Sequence, residues 1–236
     1  MMMYKFWRKL PLNIRNNFHL IIHRINSLNF LLKVTYFRHF ITCIYLACSS
    51  QSKIRIGESK KIAGWVSTNY QVFAIYFLDA TRNFYFVKDL QYIVADNVIE
   101  HLSLDQGQSM LENMFKSLRK GGKIRIATPD LRSITSVYLK RNELMLSDYK
   151  SDLQNHNLKI EYFPDLLRTT YNAFGHHKGY IYDFETLEII LVKIGFREVE
   201  LFRPGLSNDF NLSSLENRCS TSDLWSQMCI EAIKPE

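Results

Sequence analysis

Glu100 and His101 stand side by side in the chain, a carboxylate next to an imidazole. An imidazole titrates near neutrality, so His101 is the side chain best suited to take a proton from a hydroxyl. Glu100 can orient it or bind the molecule it acts on. A second group, His176, His177 and Tyr180, precedes the last long helical stretch, and its rings suit either a sugar or lipid-linked sugar or a plain capping loop. Further polar residues recur after strand-like runs: Gly57-Glu58-Ser59, Asn69, Asp79-Ala80, Asp96-Asn97 and Asp130. Each alone is an ordinary turn residue or helix cap. Together, at successive strand ends, they outline one cleft. The four cysteines (Cys43, Cys48, Cys219, Cys229) form no C-x-x-C pair, and no histidines cluster at zinc spacing, so no metal site is expected and the thiols read as reduced.

These residues need elements to hold them. Short β-like runs occur at Lys53–Gly57, Trp65–Thr68, Ala74–Leu78, Tyr92–Ala95 and Lys123–Ala127, then at Glu198–Phe202 and Gln227–Ile233. Met110, Leu111, Met114, Phe115 and Leu118 form the apolar stripe of a helix over about Gln106–Arg119, with Gly121 as its expected C-cap. Asp183 and Gly195 bracket a second helix over Phe184–Ile194. The alternation predicts an α/β fold: a Rossmann-like, mostly parallel sheet with helices on both faces and an antiparallel C-terminal edge strand. In such sheets ligands bind beyond the carboxyl ends of the strands.

The chain has 236 residues with 47% hydrophobic and 22% charged, enough apolar material for one sizeable core and too much for a disordered chain. Of its 30 Lys/Arg, nine fall within residues 1–55, which hold no Asp or Glu, so 21 basic residues face 23 acidic ones in the remainder. The body is therefore not basic, and a nucleic-acid partner is not expected. Residues 1–52 read as a basic helical extension and 53–236 as the domain proper. No run of about 18 apolar residues or more is present, so a regular transmembrane helix is not expected. The expectation is a cytoplasmic protein whose residues 1–50 either pack as helices on the body, with their basic residues solvated, or lie peripherally on the inner membrane face.

Asp96-Asn-Val-Ile-Glu-His-Leu102, followed by the amphipathic helix and Leu118-Arg-Lys-Gly-Gly-Lys-Ile-Arg-Ile-Ala-Thr-Pro-Asp-Leu131, resembles class I S-adenosylmethionine-dependent methyltransferases. The likeness is greatest to small methyltransferase-like proteins associated with surface-polysaccharide synthesis, whose segments read "EHxxEHL" and "LKPGGxIRIATPDL". Lys120 stands where that family has proline. Ile62-Ala-Gly-Trp65, Leu78-Asp-Ala80, Gly175-His176, Tyr182–Leu187 and Ile194-Gly-Phe196 extend the resemblance over about residues 53–234.

The resemblance implies S-adenosyl-L-methionine as cofactor. It implies that Gly57 and Ser59 cradle its methionine part, Asn69 meets the ribose, Asp79 and Ala80 lie by the adenine, and Asp96 and Asn97 lie beside the sulfonium. His101 and Glu100 would be catalytic; His176, His177 and Tyr180 would meet a small-molecule or glycan acceptor. Two departures stand out. Glu58 puts bulk and negative charge in the glycine turn, and Asn69 replaces a carboxylate. Two outcomes follow: a methyltransferase acting on a saccharide or glycan-linked hydroxyl, or a non-catalytic relative with an eroded cofactor site that serves as a binding or partner protein.

Overall fold

The computed structural model describes residues 28–236, except 59, 72, 155, 157 and 217–219, and the side chains of residues 28–33 are likewise outside the description. The start of the expected extension, Ser59 and Cys219 fall outside the described residues. In chain order the elements are α1 (Leu28–Cys48), β1 (Lys53–Ile56), β2 (Val66–Thr68), β3 (Leu90–Asp96), a 3-10 turn (Ile99–His101), α2 (Leu104–Ser117) and β4 (Leu118–Pro129). They continue with α3 (Leu131–Lys140), α4 (Glu143–Gln154), α5 (Phe163–Asn172), a second 3-10 turn (Ala173–Lys178), α6 (Phe184–Ile194), β5 (Arg197–Phe202), α7 (Asp223–Ser226) and β6 (Gln227–Ile233).

Six strands form one sheet in the order β2-β1-β3-β4-β6-β5. Pairs along β2, β1, β3 and β4 are parallel, while β6 runs antiparallel to β4 and β5. The mostly parallel Rossmann-like sheet with antiparallel pairing at its C-terminal edge is as expected; β6 lies one strand inside β5, which occupies the edge itself.

The strand sequences explain the two faces. β1 and β4 both contain Lys-Ile-Arg-Ile, and alternate side chains of a strand point to opposite faces. Ile54, Ile56, Ile124 and Ile126 join Ile93 and Ile230 in the main core, under Met110, Leu111 and Met114 of α2 and Leu187 and Leu191 of α6. Each such side chain contributes roughly 1.5–3 kcal/mol by leaving water. α2 starts at Ser103, whose hydroxyl accepts the Gln106 N–H while the Gln106 side chain accepts the Ser103 N–H. α6 starts at Asp183, which accepts the Thr186 N–H, and ends at Gly195 with φ of 123°, as expected.

Lys53, Arg55, Lys123 and Arg125 face the other way. Over β1, β3 and β4 this face carries a turn-rich strap, residues 203–216. The strap adds Leu212 and Leu215 against Tyr92 and Val94. It also supplies acceptors. Arg125, fully buried, donates to both carboxylate oxygens of Glu216 (2.5 and 3.1 Å) and to Glu231 (2.5 Å). Lys53 donates to Asn211 and Lys123 to Asp209. Four cationic side chains on one sheet face require this, because a buried charge without a partner is strongly destabilising.

Two expected elements differ. Ala74–Leu78 makes only an isolated bridge, Asn69 to Phe77. Tyr76 stacks on Tyr45 of α1 at 4.6 Å, and Arg38 of α1 donates to the Ala74 carbonyl and lies over Phe77, so this segment follows α1 and leaves the sheet. Gly121 is not the C-cap of α2. The helix ends at Ser117 with Leu118 extended, and the glycine pair turns the chain into the sheet, where the Gly121 N–H donates to Lys234 and Gly122 accepts from it.

α1 is part of the body. Cys43 and Leu46 share the main core, and buried His39 bonds the Asn83 carbonyl and accepts the Asp79 N–H. Burial pushes the Cys43 thiol up to about 12, so it is inert. Of the nine basic residues behind the expected membrane contact, Arg38, Lys53 and Arg55 are engaged within the body. Among the described residues no helix is long and apolar enough to cross a membrane.

Glu216→Gln should lower stability by about 3–5 kcal/mol in chemical denaturation, because it leaves Arg125 buried with half its compensation. Asp209 gives a pH signature. Burial opposes its charge, but hydrogen bonds from Lys123, Asn211 and Tyr92 outweigh that and bring it from the ordinary 3.8 down to about 2. A depressed folded pKa means that the stabilisation is complete above the unfolded value and is lost as pH falls through the folded one. Stability of the wild type should therefore drop more steeply between pH 4 and 2 than that of Asp209→Asn; equal slopes would remove Asp209 from the strap's anchoring.

Candidate functional site

A cavity of about 750 Å³ opens at the carboxyl ends of β1, β3 and β4, lined there by Gly57, Glu58, Asp96, Asn97, Glu100, His101 and Pro129. Its opposite wall comes from α4, α5, the second 3-10 turn and the residues leading into β6. An antiparallel strand enters where its parallel neighbours exit, which places Gln227 beside Asn97: the Asn97 amide donates to Gln227 at 3.2 Å. Asn97 itself has φ of 50°, the left-handed region that asparagine tolerates. Its Oδ1 is buried without a protein partner and is an acceptor left for a ligand.

The two 3-10 turns bring the chemistry together. Glu100 is buried and accepts the Thr128 hydroxyl at 3.2 Å. His101 is exposed on the cavity side, and its ring lies 4.8 Å, centroid to centroid, from that of buried His176. A carbonyl only accepts, so the 2.8 Å contact between His176 Nδ1 and the Thr170 carbonyl puts the His176 proton on Nδ1. One ligand-type atom from each of Glu100, His101 and His176 lies within 4.8 Å of the others. Glycine makes the approach possible: a Cβ on Gly179 would fall 1.8 Å from the Glu100 carbonyl oxygen. The adjacent Tyr180 N–H donates to the Leu102 carbonyl at 2.9 Å.

The cavity is acidic. Glu58, Asp96, Glu100, Asp152 and Asp223 line it, and among the described residues neither Lys nor Arg does. Two of these carboxylates also hold the wall together. Asp152 accepts the Ser222 N–H at 3.0 Å and Asp223 the Ser220 hydroxyl at 2.7 Å. Burial opposes the Asp152 charge, but hydrogen bonds from Ser222 and Ser220 prevail and lower its pKa.

The residues expected to hold S-adenosyl-L-methionine divide. Gly57, Asp96 and Asn97 line the cavity. Gly57 has φ of 85°, and a Cβ there would meet Val98 at 2.2 Å, so its glycine is required by the protein itself. The Gly57 and Glu58 N–H groups both donate to the Thr68 carbonyl. Glu58 Oε1 accepts the Lys60 N–H at 2.9 Å, and its other oxygen lies 3.5 Å from Arg55, so a side-chain carboxylate fills the turn where an anionic ligand group would sit. Asn69 is folded back, donating to the Gly57 carbonyl and accepting the Gln71 N–H. It lines a second cavity of about 640 Å³ with Trp65 and Tyr76, and Glu58 borders both cavities. Asp79 and Ala80 line neither: the Asp79 carboxylate accepts from Thr81 and pairs with Arg82 at 3.0 Å. The residues present thus fit the cofactor at its sulfonium, where carboxylates and the Asn97 oxygen would face positive charge, and do not fit it at its carboxylate, ribose and adenine.

His176 lines the cavity, whereas His177 and Tyr180 are exposed beside it, with Tyr180 packed edge-on against Tyr182. Sequence reasoning missed Asp152, Thr169, Thr170, Ser222 and Gln227. Gln227 carried a signal, since it opens a strand that runs antiparallel to its neighbours and so lies at the ligand-binding end.

No family model matches the chain, and no curated protein matches it. Solved structures do. A SAM-dependent methyltransferase from Thermotoga maritima is 13% identical with a TM-score of 0.48, covering 91% of this chain and 98% of its own. One from Archaeoglobus fulgidus is 15% identical with a TM-score of 0.47, covering 88% and 100%. The CMeT domain structure of the citrinin polyketide synthase is 10% identical with a TM-score of 0.46, and this chain spans 46% of its length.

Gly179→Ala tests the assembly of the two turns. The added Cβ forces them apart, so stability should fall by about 1–3 kcal/mol, the usual cost of overpacking. An unchanged melting curve would show that the turns are not held in contact.

Proposed function

We propose that this protein is a S-adenosyl-L-methionine-dependent methyltransferase acting on an uncharged saccharide or glycan-linked hydroxyl. The observation that carries the reading is His101 on buried Glu100, next to Asp96 and Asn97, in an acidic cavity at the carboxyl ends of the central strands. When bound, the cofactor supplies an electrophilic methyl group on a sulfonium. The chain's own residues do the rest. Asp96, Glu100 and the Asn97 oxygen favour positive charge in the cavity. His101 takes the proton of the acceptor hydroxyl, and Glu100, held by Thr128, stabilises the imidazolium that results. Tyr149 and Phe174 offer ring faces for a sugar. The lack of Lys and Arg among the described lining residues disfavours a phosphorylated acceptor.

A second reading, a non-catalytic relative, is favoured by one observation: the Glu58 carboxylate already occupies the turn after β1.

Calorimetric titration with S-adenosylmethionine and S-adenosylhomocysteine separates the two. Wild type should bind weakly. Glu58→Ala should tighten binding about tenfold, because a like charge is removed and the ligand carboxylate gains the Lys60 N–H and Arg55. His101→Ala should keep that affinity and lower S-adenosylhomocysteine formation on a panel of neutral sugars by about 10²–10⁴-fold. No binding by either wild type or Glu58→Ala would establish the second reading.

A further inference from the structure

Glu100, His101 and His176 have a second capability. Two imidazoles and one carboxylate converging on one point are a donor set for a divalent transition metal. We infer that these three residues form a divalent-metal site, of the Zn²⁺ class, on the floor of the cavity.

Four observations support the assignment. One ligand-type atom from each residue lies within 4.8 Å of the other two. Ligands at about 2.1 Å from Zn²⁺ in a tetrahedron stand about 3.4 Å apart, so a modest side-chain rotation of His101, the exposed member, closes the set. His176 is oriented as a ligand is oriented in such sites: its Nδ1–H donates to the Thr170 carbonyl at 2.8 Å, which leaves the lone pair on Nε2. The Glu100 carboxylate is fixed from behind by the Thr128 hydroxyl at 3.2 Å. Finally, the cavity carries five carboxylates and, among the described residues, no Lys or Arg, so its field favours a cation.

The three-residue set leaves coordination positions open to the cavity, as a metal that binds a substrate requires. A hydroxyl oxygen on such an ion loses its proton near neutrality, so coordination to the ion and proton transfer to a neutral, metal-free His101 are alternative ways of preparing the same acceptor. Mixed nitrogen and oxygen donors favour Zn²⁺, Co²⁺ or Fe²⁺ over Mg²⁺, which prefers an all-oxygen shell. The spacing rules for zinc motifs could not show this site, because Glu100 and His101 come from one turn and His176 from another far along the chain. The proposal does not depend on methyl transfer.

The test uses tag-free full-length protein stripped with a chelator. Co²⁺ titration should give the visible absorption of a four- or five-coordinate ion at one equivalent per chain, and Zn²⁺ should bleach it while Mg²⁺ should not. His101→Ala and His176→Ala should each weaken Zn²⁺ binding at least tenfold by calorimetry. His177→Ala, an exposed neighbour outside the set, should bind as wild type does. Because His101 is exposed, its variant keeps the native circular dichroism spectrum and the comparison stands even where a change at buried His176 disturbs the fold. Absence of a cobalt spectrum, or binding that survives His101→Ala, would overturn the assignment. S-adenosylhomocysteine titration of the same stripped protein reports separately on the methyltransferase reading.

Discussion

Two buried arginines at the centre of the sheet dictate most of what surrounds it. Arg55 and Arg125 lie on one face at 1% and 0% exposure. Leaving a guanidinium there without carboxylates would cost more than the neighbouring isoleucines on the opposite face contribute. Arg125 is answered by Glu216 from the strap and Glu231 from β6, its register partner across the β4–β6 ladder. The strap must therefore cross this face, and β6 must run between β4 and β5. That route delivers Ser222, Asp223 and Gln227 to the cavity mouth. A charge pairing on one face of the sheet thus sets one wall of the site at its end.

The opposite wall depends on a different constraint, the close approach of backbone to backbone. The turn carrying Glu100 and His101 and the turn carrying His176 touch because residue 179 has no side chain. Glu100 is then held by the Thr128 hydroxyl on β4 and His176 by the Thr170 carbonyl, while the Tyr180 N–H on the Leu102 carbonyl ties the two turns together. A rigid floor with one exposed member, His101, suits a group that must both position a ligand and exchange a proton or an ion.

Much of the fold could be read from the chain because local signals and tertiary environment agree there. The stripe over α2, the Asp183 and Gly195 caps and the alternating strands of the sheet are each set by their own residues. Ala74–Leu78 shows the reverse. Its pattern suits a strand, but Tyr45 and Arg38 of α1 engage it from outside, and no local signal records that competition. The lining of the cavity was legible at and just beyond a strand end, as with Asp96, Asn97, Glu100 and His101. It was not legible where a side chain turns back on its own backbone, as with Asn69, or pairs with a neighbour under α1, as with Asp79. Alternation of Lys-Ile-Arg-Ile in two strands was the available clue to the buried cations, because period-two charge opposite isoleucine demands partners on that face.

Glu58 joins these two halves of the structure. Arg55 donates to the Leu215 carbonyl and lies 3.5 Å from Glu58, while its Nε and Nη1 are buried without partners. It is the less completely compensated of the two arginines, so an anion in the turn after β1 stabilises the sheet itself. The chain supplies that anion internally, where a glycine turn would leave the place to a ligand's carboxylate. The same side chain borders both cavities and adds its charge to the acidic one. An incoming carboxylate must therefore displace Glu58 from Arg55 and from the Lys60 N–H before it can bind, whereas a cation meets only favourable charge. The charge of the cavity wall therefore favours positive and neutral ligands over negative ones.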